Sequence, residues 1–426
     1  MKIAAENPVG VQARSIVVIG AGVVGVCCAR QLQRDGHRVR VLDPQPPGSG
    51  CSYGNAGVFA TDSILPVASP QTLRAIPRML ITRKGPLRLV WRDLPALTPW
   101  LLRFLLQARR APREAALRHL TALCSEASAA LDALTADSDA AELVRPTGWA
   151  TVFEHPATLK AAQPAFATRE RHGWRVEWLD GPAAQRRIGP LSSRVIGAAV
   201  CPDIRMCSDP DGFVQRLARD LEVAGGEVVS AAATALHPDR AGGVRVDTTD
   251  GVLEADHAVV AAGIHSERLA RGVGDRLGLA AERGYHAMLP SSAGAPALPV
   301  MSGEYQFVTT PMAMGVRLAG TSELARSDRP AHAHQHALLL EQGTALFPEL
   351  RTAGASYWHG SRSTTPDSLP VIGRSAVSPA ISYACGHQHL GLTLAAISAR
   401  LIADELAGRE PPVDLWPLRA NRFIGR

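Results

Sequence analysis

The spacing of apolar and polar positions changes several times along the chain, and each change predicts an element. Residues 15–19 are a short continuous apolar run, read as a buried strand. The glycine turn Gly20-Ala21-Gly22-Val23-Val24-Gly25 follows, then a helical period from Val23 to about Asp35, stopped by Gly36. HRVRVLD, residues 37–43, alternates and ends in an acid. The order is strand, glycine turn, helix, strand.

Residues 70–140 carry mainly helical patterns. Within LTPWLLRFLLQARRAPREAALRHL, Pro99 suits a helix start. Leu101, Leu102, Phe104, Leu105 and Leu106 are too continuous for a one-faced surface helix. A buried core helix and a membrane-facing patch beside Arg103, Arg109 and Arg110 both stay open. GWATVFEH and GWRVEWLD, between residues 142 and 200, look strand-like. Asp209 or Asp211 can cap a helix that begins near Gly212 and ends at Gly225-Gly226. Two strands then meet at Gly251, and residues 258–262 form a buried strand ending at Gly263. Residues 284–325, with GYHAMLP, YQFVTTP and GVRLAGTSE, favour a sheet that covers a pocket.

These elements predict an α/β fold in two parts. A Rossmann-like dinucleotide domain gathers residues 15–66, 201–269 and 356–420. A discontinuous substrate domain, residues 67–200 and 270–355, is built on a mainly antiparallel sheet plus helices. Residues 1–14 read as a leader. The length of 426 residues and an apolar content of 46% support two such units around packed cores.

Charge and cysteine usage exclude some classes. The net charge of +6 is spread among acids with no long basic block, so nucleic acid is not expected as a partner. Seven cysteines, an odd number at irregular spacing, suit free thiols in a reducing compartment. The N-terminal segment lacks a signal-peptide pattern, and no apolar run reaches membrane-spanning length. The expected location is cytoplasmic, with peripheral contact on the inner face of the cell membrane left open. His332, His334 and His336 could share one strand face and hold a metal, but AHAHQHALLLEQ reads better as a solvated helix start, so no metal is expected. Cys27, Cys28 and Cys385 read as packing residues. No GxSxG nucleophile elbow on a strand-to-helix turn is evident, and HExxH does not occur.

The chemistry begins at the glycine turn. Gly20 permits the tight turn, Gly22 clears space for a pyrophosphate, and Gly25 lets helix and sheet pack closely. Amides at the helix start stabilise phosphate charge. Asp43 suits the adenosine ribose hydroxyls and disfavours a 2′-phosphate, which leaves NAD and FAD open. PQPPGSGCSYGNAGVFA could wrap a flat cofactor, with Ser52 and Asn55 as polar contacts, or be an ordinary long loop. Only one glycine fingerprint is present, so a second nicotinamide domain is not expected. Near the C-terminus, GSRSTTPDSLPVIG sets Arg362 in a turn-rich stretch. That arginine is either a ligand clamp or the partner of an acid such as Asp367.

Over about residues 15–420 the chain resembles the FAD-dependent D-amino acid dehydrogenases of the D-amino acid oxidase and glycine oxidase superfamily. VVIGAGVVGVCCARQLQRDGHRVRVLD resembles the FAD-binding start, and GSGCSYGNAG the segment that passes the flavin. WHGSRSTTPDSLPVIG followed by YACGHQHLGLTLAAISARLIADELAG resembles the late pair of motifs. AERGYHAML together with SRSTTPDSLPVIG resembles the branch associated with D-proline or cis-4-hydroxy-D-proline oxidation.

The resemblance implies FAD held by Gly20, Gly22, Val23, Val24, Gly25, Asp43, Ser52, Gly54, Asn55, Ala56, Gly57, Ala262, Gly263, Gly386, Leu390, Gly391, Leu392 and Thr393, and noncovalent attachment is expected because neither Cys51 nor Cys385 has an attachment signature. It implies that Arg362 binds the substrate carboxylate through its forked donors. Tyr285, His286, His387 and His389 are further pocket candidates; packing or strand capping is the alternative for Tyr285 and His286. Related glycine-oxidising enzymes have a second arginine near His387-Gln388-His389, which this chain lacks. The implied reaction is hydride transfer from Cα of a D-amino acid to flavin N5, giving an imine. The implied electron acceptor is a quinone or the respiratory chain. An oxygen-using oxidase and a noncatalytic flavin-binding subunit or sensor are the other readings.

Overall fold

The computed structural model describes residues 12–81, 85, 87–239 and 242–423. Most of the expected leader therefore lies outside the described residues. The elements that position the site run, in chain order, β1 (Ser15–Ile19), α1 (Val23–Arg34), β2 (Arg38–Leu42), α2 (Leu94–Gln107), α3 (Arg110–Thr135), β3 (His257–Val260), β4 (Ala280–Leu289), β5 (Gly315–Leu324), α4 (Ala333–Leu346), β6 (Ser356–Thr364), β7 (Ile381–Cys385) and α5 (Gly391–Ala407).

A six-stranded sheet has the order Glu227–Val229, β2, β1, β3, β7, Val371–Arg374. Its first five strands are parallel, and the last runs antiparallel to β7. Parallel strands covered on both faces need near-continuous apolar runs, which Ile16 to Ile19 and Ala258 to Val260 supply. One face packs α1 and α5 through Val26, Leu32, Leu394 and Ile397. Leu120 and Leu123 of α3 join this same core. Helix α3 thus packs with the nucleotide-side elements, although the sequence reading placed residues 67–200 wholly in the other domain.

A nine-stranded, mainly antiparallel sheet stands beside it. Its order is β6, β4, β5, Val308–Met312, Val300–Ser302, Trp149–Phe153, Gly197–Cys201, Glu177–Asp180, with Leu87–Leu89 also paired to β5. Strand β6 belongs to this sheet, so the expected boundary at residue 356 cuts through a strand ladder that runs to Thr364. Arg362 is therefore a strand residue. The turn the sequence suggested is confined to residues 365–370.

Alternation along β4 sorts its side chains between two faces. Tyr285, Ala287 and Leu289 join Leu339 and Leu346 of α4 in the rear core. Glu282, Gly284 and His286 fall on the front. A register shift between Arg283 and Tyr285, with Thr321 at φ 55°, bulges β5 at this point.

Other expectations changed locally. Helix α2 starts at Leu94 with proline in its first turn, and Pro99 lies inside it. Leu97 and Trp100 are buried, but Leu102, Leu105 and Leu106 are exposed, so α2 is not a wholly buried core helix. Asp209, not Asp211, caps the helix Pro210–Val223 through the Gly212 amide at 3.0 Å. His332 to His336 open α4, and no metal-binding cluster occurs among the described residues.

Candidate active site

A cavity of about 1410 Å³ runs between the two sheets. That exceeds the roughly 300–1,000 Å³ typical of a small-ligand pocket, and suits a dinucleotide plus a small molecule. One end is walled by Gly20, Gly22, Val23, Val24, Asp43, Ala262 and Gly263, and the other by Glu282, Arg362, His389, Gly391 and Leu392.

The first end meets a dinucleotide's requirements. Gly20 has φ 110°, and a Cβ there would sit 2.5 Å from the Ala261 carbonyl oxygen. A Cβ on Gly25 would run into the Gly20 carbonyl, so this glycine sets the packing and is not a wall residue. Gly22 is different: a Cβ there would meet only the Ser52 hydroxyl, at 3.4 Å. Its open side is a cradle that a side chain would fill. The first-turn amides of α1 have no carbonyl one turn earlier. The Val23 amide donates to Ser52 Oγ at 2.8 Å. Asp43 accepts from the Ala21 and Gln45 amides at 2.8 and 2.9 Å, which fixes its carboxylate at the end of β2. Glycine cradle, helix start and fixed acid match the donors and acceptors of FAD.

The loop after β2 then crosses the front of the large sheet. Buried Arg317 donates from Nη1 to the carbonyls of Tyr53 and Asn55 at 2.8 and 2.6 Å. Thr310 Oγ1 donates to the Ala56 carbonyl at 2.7 Å, and the Cys51 thiol donates to the Ser361 carbonyl at 3.0 Å. Gly54, Asn55 and Ala56 line the cavity, while Gly57 sits behind it with φ 73°. A side chain at Gly54 would collide with the Trp358 ring, which also lines the cavity.

At the far end, Gly391 and Leu392 open α5 onto the cavity. Gly386, Leu390 and Thr393 are not in its wall. They support it: the Gly386 amide donates to Ser363 Oγ at 3.2 Å, and Thr393 Oγ1 accepts from the Ala60 amide at 3.0 Å.

Arg362 lies in the wall, its guanidinium flat against Gly284, where a side chain would displace it. Its Nη1 donates to Glu282 Oε1 at 3.0 Å. Asp367, the acid suggested by sequence proximity, pairs instead with Arg422 at 2.8 Å. Glu282 also accepts from Ser322 at 2.6 Å and Thr364 at 3.2 Å. Enclosure pushes the Glu282 carboxyl upward, but Arg362, Ser322, His389 and Thr364 outweigh it and leave it below the usual carboxylate range. His389 opens onto the cavity. The surrounding protein holds its pKa below the ordinary histidine value, opposed by Glu282 and assisted by Arg362.

Three sequence-derived candidates have other tasks. His286 is 1% exposed, stacks on Trp358 and lies 3.5 Å from the Gly54 carbonyl, beneath the crossing loop. Burial, then Arg317, pushes it down to about 3. The Tyr285 ring edges the cavity from the rear face, but its hydroxyl donates to Glu323 at 3.1 Å. His387 also borders the cavity, but its buried ring bonds Ser398 Oγ of α5 at 2.8 Å, and burial lowers it to about 4. Sequence reasoning missed Glu282, Arg317 and Trp358. Glu282, Arg317 and Trp358 lie within AERGYHAML, GVRLAGTSE and WHGSRSTTPDSLPVIG, but only the strand register shows what they face.

Residues 15–405 match the family model described as DAO, FAD dependent oxidoreductase. The chain is 34% identical over 425 residues to a D-amino-acid oxidase of Bradyrhizobium diazoefficiens, covering 97% of this chain and 100% of that protein. It is 31% identical over 419 residues to a D-amino acid dehydrogenase of Paramagnetospirillum magneticum, covering 96% and 98%. In fold it is similar to glycine oxidase from Geobacillus kaustophilus, with a TM-score of 0.73, 22% identity, and coverage of 97% and 100%.

Proposed function

The chain belongs to the FAD-dependent oxidoreductase family, with FAD as its noncovalent cofactor, and from that premise we propose that it dehydrogenates a D-amino acid at Cα. The observation that carries this reading is Arg362, an arginine in the wall of the same cavity as the glycine cradle. Bound FAD supplies the hydride acceptor. The chain's own residues bind and orient. Arg362 has five N–H donors, of which Nη1 is used on Glu282, so donors remain for a substrate carboxylate. Two parallel bonds to that carboxylate fix the direction of the Cα–H bond. The start of α5, at Gly391 and Leu392, offers positive dipole to negative charge developing beside it.

No side-chain base is assigned. His387, His286 and the Tyr285 hydroxyl are bonded elsewhere, and the amine enters uncharged. A cyclic substrate, D-proline or cis-4-hydroxy-D-proline, is the preferred choice, supported by the motifs AERGYHAML and SRSTTPDSLPVIG.

A quinone or the respiratory chain is the preferred electron acceptor. Exposed Leu102, Leu105 and Leu106 beside exposed Arg103, Arg109 and Arg110 support peripheral contact with an anionic membrane. Among the described residues, no helix is long and apolar enough to cross a membrane. The name of the Bradyrhizobium relative favours oxygen as a second reading. Steady-state turnover of paired D- and L-enantiomers, with a soluble quinone and separately in an oxygen electrode, tests substrate and acceptor together. Quinone-supported turnover confined to the D-series supports the proposal. Equal turnover of L-enantiomers would refute the D-specific reading, and oxygen consumption at the quinone rate would replace the acceptor.

A further inference from the structure

Binding a substrate carboxylate needs Arg362 but does not need Glu282. A carboxylate beside the guanidinium holds it in place but also weakens its pull on an anion, so its charge calls for a further reason. As a mere tie between strands it adds little, because β4 and β6 already share a ladder from Ala280–Thr364 to Met288–Ser356. Its surroundings also differ from those of the other acids paired near the cavity. Asp62, Glu323 and Asp93 are buried behind Arg169, Arg283 and Arg329, with side chains 0–1% exposed. Glu282 stands in the cavity wall with its side chain 20% exposed.

The carboxylate is also held in place. Oε1 accepts from Arg362 and Ser322, and Oε2 accepts from Thr364. A carboxylate offers about four lone-pair directions, so about one remains for a group in the cavity. The pair presents a cation and an anion side by side.

We propose that Glu282 determines substrate specificity by charge: it admits D-amino acids with neutral or cationic side chains and rejects those bearing a second carboxylate. The inference rests on the reading that Arg362 receives the α-carboxylate. A second carboxylate about 5 Å from Glu282 meets like-charge repulsion of more than about tenfold in affinity at an effective dielectric near 20. A side-chain ammonium at the same place is attracted.

The test compares kcat/KM for D-alanine, D-lysine and D-glutamate in the FAD-loaded protein and in Glu282→Gln and Glu282→Asp. The wild type favours D-alanine and D-lysine. In Glu282→Gln the D-glutamate to D-lysine ratio rises at least about tenfold, while Glu282→Asp keeps the wild-type order. A purely structural Glu282 would lower all three substrates together and leave the ratio unchanged, which would overturn the proposal.

A second measurement uses the wild type alone. Propionate perturbs the flavin spectrum at a concentration at least about tenfold below that needed for succinate. Equal binding of the two acids would overturn the charge reading. If no D-amino acid, linear or cyclic, reduces the wild-type flavin, the proposed function itself fails and takes this inference with it.

Discussion

Glu282 Oε1 and Arg362 Nη1 lie 3.0 Å apart, opposite each other in the β4–β6 register. With Gly284 beneath the guanidinium, this contact holds Arg362 in one place before any ligand arrives. Such preorganisation cuts the ordering cost of binding.

Replacing Arg362 separates orientation from folding. Arg362→Leu should keep its FAD and fall about 30-fold or more in kcat/KM, because a charge-assisted pair to substrate is worth roughly 2–5 kcal/mol. Arg362→Lys should recover little of this, since an ammonium lacks the forked donors. Stopped-flow flavin reduction measures both. Wild-type kinetics in Arg362→Leu would remove this residue from the site.

Two glycines of one motif should respond differently. Gly22→Ala keeps the apo fold, because the new Cβ meets only Ser52 Oγ at 3.4 Å, yet it should weaken FAD binding about tenfold or more by filling the cradle. Gly25→Ala drives Cβ into the Gly20 carbonyl and should lower apo stability itself. Thermal melts with and without added FAD distinguish the two. Equal apo melting temperatures for both variants would contradict this division.

Arg317 anchors the crossing loop through the Tyr53 and Asn55 carbonyls. Arg317→Met leaves both carbonyls without that donor, at about 1–3 kcal/mol per unsatisfied group. The expected result is faster proteolysis within residues 50–57 and a raised Kd for FAD. Unchanged proteolysis and Kd would mean that the loop holds its path without Arg317.

The nucleotide end of the site was legible in the sequence because its pieces are local. Gly20, Gly22, Gly25 and Asp43 fall within one strand–helix–strand unit. The substrate end depends on register between distant segments. Glu282 gains meaning only across from Arg362, 80 positions later. One step of alternation on β4 separates Glu282, which bonds Arg362, from Arg283, which pairs with Glu323. The same parity directs Tyr285 to the rear face, and the crossing loop covers His286 on the front. The two histidines after Gly386 both border the cavity, but the turn into α5 ties the His387 ring to Ser398, while His389 stands beside Glu282 and Arg362.

His387 also predicts an acid-labile fold. Its folded pKa is about 4, against about 6.5 when unfolded. Between those values the unfolded chain binds the proton and the native chain does not, so stability rises with pH and is lost as pH falls. The loss should be about 2 kcal/mol between pH 7 and pH 5 for this group. His286 and His257, each lowered to about 3 by burial, act in the same direction. Urea unfolding at pH 7 and pH 5 should therefore show a shallower pH dependence in His387→Gln than in wild type. An identical dependence would contradict the assignment.

The most direct measurement is an anaerobic visible titration of the FAD-loaded protein with cis-4-hydroxy-D-proline and, separately, D-alanine. The account predicts loss of the oxidised flavin bands near about 450 nm, with the cyclic amino acid acting at lower concentration. Flavin bands left unchanged by every D-amino acid, in a protein that retains its FAD, would contradict it.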